Sequence, residues 1–152
     1  MERQNRKRLY LDICTLCRPF DDQSQMRIRL ETNAYYLILQ ALQDARYVLV
    51  VSPVHFEEAN AISDAEERHE IVMILERLGT TAACDMAATR ARAEDLQTRK
   101  FGIADAAHVA FAEAAADFFI SCDERLVRMC RREKVTVAAM SPVEFTLAEG
   151  LK

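Results

Sequence analysis

The chain has 152 residues, a net charge of −4 at neutral pH and 51% apolar residues. That length suits one domain with its own core, and that apolar share excludes disorder. No apolar run reaches the roughly 18 residues of a membrane span, and the apolar stretch behind the basic start at residues 1–8 is too short for a signal peptide, so a single cytoplasmic domain with no membrane association is expected over residues 1–152.

The first strand is expected at residues 8–13, where Leu9, Tyr10 and Leu11 lead into Asp12. Residues 18–24 read as a loop, because Pro19 and the short polar side chains of Asp21, Asp22 and Ser24 favour turns. A helix follows over residues 25–43, with Ile28, Tyr35, Leu39 and Leu42 on one broad face. Residues 47–51 are short, β-branched and apolar, the mark of a buried strand. Ser52 and Pro53 then supply an N-cap and a first-turn proline for another helix.

The next helix is expected to start near Ser63, whose spacing to Glu66 matches a capping box. Ile71, Ile74, Leu75 and Leu78 form its apolar stripe, and Gly79 is its stop. Residues 85–99 are rich in alanine and arginine and should be helical, as should residues 104–116 beyond Gly102. A strand is expected at 117–121, a helix at 123–133, a short last strand at Val135, Thr136 and Val137, and a terminal helix after Ser141 and Pro142. Strands alternating with helices give an α/β fold with a mainly parallel sheet of about four or five strands.

The five cysteines are an odd number, and Cys14 and Cys17 form a lone CxxC with no matching pair and no histidine at finger-like spacing. Buried free thiols are expected rather than disulfides or a zinc site.

Acidic residues recur at strand ends and helix starts. Asp12 ends the first strand, Glu58 lies in the helix after the second, Asp105 opens an alanine-rich helix, and Asp123 follows the third. In an open parallel sheet, the carboxyl ends of the strands form the ligand-binding edge. Carboxylates gathered there repel one another unless a cation neutralises them, and all-oxygen donors suit Mg²⁺ or Mn²⁺. Asp12 is the strongest candidate, since a carboxylate ending an apolar strand is costly to bury unless it is paired or bound to metal. Asp105 also suits the helix dipole, and Asp123 also suits an N-cap. Glu57 and Glu58 point different ways on a helix, so at most one joins the cluster. His108 shares the helical face of Asp105. It either packs beside the site or positions substrate or water. Ser121 either holds a bound water or fills a turn.

Four short motifs occur in order: Tyr10-Leu11-Asp12, Ser52 with Glu58 six residues on, Gly102-Ile103-Ala104-Asp105-Ala106-Ala107-His108, and Phe119-Ile120-Ser121-Cys122-Asp123. In this order they resemble the PIN-domain nucleases, and most of all their single-domain, VapC-like branch. Arg18, Pro19, Phe20, Asp21 and Asp22 resemble one bacterial subgroup of it. The likeness runs from Tyr10 to about Val143. One departure stands out: the family often has Asn, Ser or Thr shortly after its first Asp, whereas Ile13 and Cys14 follow here, with Thr15 next.

The resemblance implies a three-layer α/β/α fold and a Mg²⁺- or Mn²⁺-dependent endoribonuclease. Asp12, Glu58, Asp105 and Asp123 match the family's acidic, metal-binding positions, and Ser121 its usual hydroxyl residue. RNA then requires cationic charge around the acidic centre. Arg125, Arg128 and Arg132 recur at helical spacing after Asp123, and Arg18 is a further candidate. The resemblance also implies the toxin of a toxin–antitoxin pair, inhibited by a small antitoxin protein. A homodimer is expected from the two apolar helix stripes at 28–42 and 71–78. The alternatives are a catalytically weak PIN-fold module binding RNA or protein, and a metal-dependent phosphatase or DNA nuclease.

Overall fold

The structure is a computed structural model that describes residues 5–152. The basic N-terminal stretch begins outside the described residues, at residues 1–4. The strands are β1 (Arg8–Leu11), β2 (Val48–Val51), β3 (Gly79–Thr81), β4 (Phe118–Ile120) and β5 (Ala138–Met140). They form one all-parallel sheet in the order β3-β2-β1-β4-β5. The helices are α1 (Ile13–Cys17), α2 (Met26–Gln43), α3 (Pro53–Asn60), α4 (Ala65–Leu78), α5 (Met86–Thr98), α6 (Ile103–Ala115), α7 (Glu124–Arg132) and α8 (Pro142–Glu149), with a 3₁₀ turn at Arg18–Phe20.

Side chains alternate across a strand, so an apolar strand feeds two cores at once. Leu9, Leu11, Leu49 and Val51 point to one face, where they meet Tyr35 and Ile38 of α2, Ile71 and Leu75 of α4, and Phe145 of α8. Tyr10, Val50 and Phe119 point to the other, where they meet Leu96 of α5, Val109 and Ala110 of α6, and Leu126 and Cys130 of α7. The result is the expected three-layer α/β/α sandwich. Strand order reverses at β1: β2 and β3 build outward on one side, β4 and β5 on the other. The crevice between the carboxyl ends of β1 and β4 is therefore the topological switch point, where such folds bind ligands.

Several elements differ from the sequence expectation. Asp12 follows β1 rather than lying within it, and its side chain caps α1, a five-residue helix not foreseen in the sequence. The N-cap of α4 is Asp64, accepting from the Glu67 amide, rather than Ser63. Gly79 both stops α4 and opens β3, an unforeseen edge strand. A Cβ there would lie 2.2 Å from the Leu75 carbonyl oxygen and 2.6 Å from Val51, so only glycine lets the chain turn this close to its neighbours. The last strand is Ala138–Met140, three residues beyond the β-branched run Val135 to Val137. There, parallel pairing of Ala138 with Phe118 and Met140 with Ile120 overrides local preference. All five cysteines are free as expected, but only Cys122 and Cys130 are buried; Cys17 and Cys84 are partly exposed and Cys14 is exposed. Among the described residues, no helix is long and apolar enough to cross a membrane.

Candidate active site

Asp12 follows β1 at the switch point and is 5% exposed. Its burial is offset by donors from two segments, α1 and the end of β4. Oδ1 accepts from the Thr15 amide at 3.2 Å and the Thr15 hydroxyl at 2.7 Å, and Oδ2 accepts from the Ser121 hydroxyl at 2.6 Å. Cys14 Sγ lies 3.1 Å from both oxygens. The departure after the first acid is thus made good three residues on, where one helical turn returns Thr15 to the carboxylate. Thr15 Oγ1 also accepts from the Cys122 amide, and Ser121 Oγ from the Asp123 amide, so two hydroxyls stitch the ends of β1 and β4 together. Burial of the sulfur, and after it the Asp12 charge, push the Cys14 thiol well above its ordinary range, although the residue as a whole is exposed.

Asp123 is the N-cap of α7, its Oδ1 accepting from the Leu126 amide at 3.1 Å. Asp105 sits in the first turn of α6 and accepts no hydrogen bond among the described residues. Its proton affinity is raised, first by burial and then by the charges of Asp123 and Asp12, with His108 opposing and Glu58 adding least. Asp105 therefore registers all three of the other acids, which lie at this edge of the sheet.

Glu58, in α3, makes the fourth corner, while the adjacent Glu57 is exposed. Its Oε1 pairs with His108 Nε2 from α6, and this hydrogen bond holds the Glu58 carboxyl below its ordinary range. His108 is buried and its other ring nitrogen is 2.6 Å from the Tyr10 hydroxyl. From sequence alone, Tyr10, Cys14, Thr15 and His55 are given no role at the site. Tyr10 and Thr15 could have been found by asking which side chains one strand step and one helical turn from Asp12 face the same space.

The acids supply hard oxygen donors, the chemistry Mg²⁺ and Mn²⁺ prefer. Among the described residues, however, no three Asp, Glu, His or Cys side chains meet as a closed metal-ligand set.

The candidate RNA-binding arginines divide into two kinds. Arg125, Arg128 and Arg132 lie exposed on α7, directly after Asp123. Arg128 has only a 4.0 Å approach to Glu124, while Arg132 pairs with Glu133 at 3.2 Å. Arg18 is instead gripped by Asp21 at 3.0 Å and by the buried Glu31 at 2.9 Å. Glu31 also pairs with Arg27, which reaches the Cys122 carbonyl, so Arg18 belongs to a network supporting the β4–α7 connection.

No protein-family model matches the chain, and no curated protein matches it in sequence. Solved structures do match it in shape. One is VapBC2 from Rickettsia felis bound to a DNA fragment from their promoter, with 10% identity, a TM-score of 0.53, and coverage of 88% of this chain and 98% of the other. Another is FitAB bound to the IR36 DNA fragment, with 16% identity, a TM-score of 0.51, and coverage of 89% and 95%. These likenesses show a PIN-like fold spanning nearly the whole of both chains.

Proposed function

We propose that this chain is a divalent-metal-dependent endoribonuclease hydrolysing RNA phosphodiester bonds, and the toxin of a toxin–antitoxin pair. The observation that carries the reading is Asp105, a carboxylate that accepts no hydrogen bond among the described residues and whose proton affinity is raised first by burial and then by the charges of Asp123 and Asp12, beside the switch point of a PIN-like fold. Carboxylates that disfavour one another's ionisation gain most from a shared cation. Asp12 and Asp105 would hold Mg²⁺ or Mn²⁺, with Glu58 and Asp123 contributing directly or through water. When bound, such a cation activates water and offsets charge on the phosphoryl oxygens.

The chain's own residues supply the setting. Thr15 and Ser121 fix Asp12 so that the acid at the centre has one orientation. Arg125, Arg128 and Arg132 offer positive charge to the phosphate backbone, which the acids alone would repel. The likeness to VapBC2 and FitAB, toxin–antitoxin complexes bound to DNA, supports an antitoxin protein as partner. Met26 at 68%, Leu30 at 54% and Tyr36 at 52% exposure leave apolar surface on α2, which supports a protein interface there, a homodimer included.

The catalytically weak binding module remains the second reading, favoured by one observation: both Asp12 oxygens are already engaged by Thr15, Ser121 and Cys14. A substrate panel separates the readings. The nuclease predicts cleavage of a labelled RNA with Mn²⁺ or Mg²⁺ and none with EDTA. RNA binding without cleavage under any metal condition selects the module, and full cleavage in EDTA overturns the metal dependence. Preference for single-stranded DNA or a phosphomonoester reassigns the substrate.

A further inference from the structure

Behind the carboxylate edge lies a polar cluster that the nuclease reading leaves unused. Tyr10, Ser52, His55 and His108 are all buried, at 0%, 1%, 0% and 3% exposure, against apolar neighbours such as Phe119. Four buried polar side chains in one place are costly unless each is satisfied. His55 is accounted for by the backbone. Its Nδ1 accepts from the Ser52 amide at 3.0 Å, and its Nε2 donates to the Leu11 carbonyl at 2.6 Å. Both ring nitrogens are spent, so His55 is a structural brace between β1 and α3.

The other three side chains form a line that ends at Glu58. Ser52 Oγ lies 2.8 Å from the Tyr10 hydroxyl, that hydroxyl lies 2.6 Å from His108 Nδ1, and His108 Nε2 pairs with Glu58 Oε1. Each hydroxyl has one proton to give. When the neutral His108 gives its Nε2 proton to the carboxylate, its Nδ1 becomes an acceptor and Tyr10 is the donor that fills it. Ser52 then donates to the Tyr10 oxygen. Every proton along the line points toward Glu58. Glu58 Oε2 accepts no hydrogen bond among the described residues.

We propose that Tyr10 is a positioning residue for Glu58: acting through His108, it fixes the imidazole tautomer and clamps one carboxylate oxygen, leaving the other for the site's ligand. This rests on the nuclease reading of Glu58, and it adds the Tyr10 hydroxyl and its support from Ser52. A phenylalanine would fill the same volume, and the hydroxyl's partners are Ser52 and His108. Supporting hydrogen bonds behind ligand-holding side chains typically matter about 10- to 100-fold in metal affinity or activity.

The test compares wild type, Tyr10→Phe, His108→Gln and the double variant, each checked for fold by circular dichroism. Tyr10→Phe should lower kcat for RNA cleavage about 10-fold or more with KM preserved, and should weaken Mn²⁺ binding in a titration by a similar factor. In the His108→Gln background the same change should have no further effect on kcat, because Tyr10 acts through the imidazole. Nitrogen NMR of the His108 ring should show one tautomer, protonated at Nε2, in the wild type and a mixture in Tyr10→Phe. If the wild type cleaves no RNA, the nuclease reading falls and the His108 spectrum alone decides the positioning role. An unchanged tautomer in Tyr10→Phe overturns the proposal, as does an additive loss in the double variant.

Discussion

Asp12 and Asp105 stand at the same edge of one sheet and bear the same charge, yet the chain treats them differently. Asp12 is 5% exposed and held by Thr15, Ser121 and Cys14. Asp105 is half-buried and accepts no hydrogen bond among the described residues, and burial first, then the nearby carboxylates, raise its proton affinity. The cations repeat the contrast. Arg18 is gripped by Asp21 and Glu31, whereas Arg128 is exposed with only a distant acid nearby. Groups satisfied internally make the scaffold, and groups left unsatisfied are the ones an external ligand can satisfy. A buried unpaired charge costs free energy that only a partner can return.

The largest expected effect lies on the unsatisfied side. Asp105→Asn should cut Mn²⁺-dependent RNA cleavage by roughly two orders of magnitude or more while leaving the circular dichroism spectrum unchanged. Wild-type turnover in that variant would remove the distinction between the two acids. On the satisfied side the effect should fall on stability. Thr15→Val deletes the hydroxyl that serves Asp12 Oδ1 and the Cys122 amide, and should cost about 1–3 kcal/mol in urea denaturation. A neutral result would mean that Asp12 is not held in the way the distances indicate.

The arginines offer a smaller, separate measurement. Arg128→Glu should weaken RNA binding and lower its salt-dependence slope by about one unit, as expected for one lost phosphate contact. An unchanged slope would return Arg128 to the solvated surface. The smallest effect concerns Asp105 without metal. Its folded-state proton affinity is raised above the ordinary value, so its contribution to stability is fully present below the unfolded pKa. That contribution is lost as pH rises through the folded pKa. At pH 7, Asp105→Asn should therefore raise the metal-free Tm slightly, and the gain should vanish on acidification into the carboxylate range. Mn²⁺ should raise the wild type more than the variant, because a ligand of the native state alone stabilises it. A lower Tm for Asp105→Asn at pH 7 would make Asp105 a helix-stabilising acid instead.

Much of this organisation is legible in the residues. The apolar triplets of β1 and β2, the Ser52-Pro53 and Ser141-Pro142 helix starts, and the alternation of strands with helices carry the layered parallel fold. What escapes is set by tertiary context. Gly79 to Thr81 has little strand character and pairs only because Val51 lies beside it. Ala138 to Met140 is a strand only because β4 offers an unpaired edge, while the more β-prone Val135 to Val137 run leads up to it. At the site, the acids stand out by position, but the support of Asp12 comes from a helix too short to show periodicity. Tyr10 reads as an ordinary apolar strand residue until the neighbours of its hydroxyl are known.

The Ser121 hydroxyl reaches Asp12 across 109 positions of sequence. Loop closure over such a span comes late, because its entropic cost precedes any reward. A chain growing from its N-terminus presents Asp12 and Glu58 long before it has Ser121 or Asp123. The groove is therefore latent through most of synthesis and is completed only when β4 adds itself to β1. Under the nuclease function proposed above, incomplete chains would stay silent until β4 finds its register beside β1.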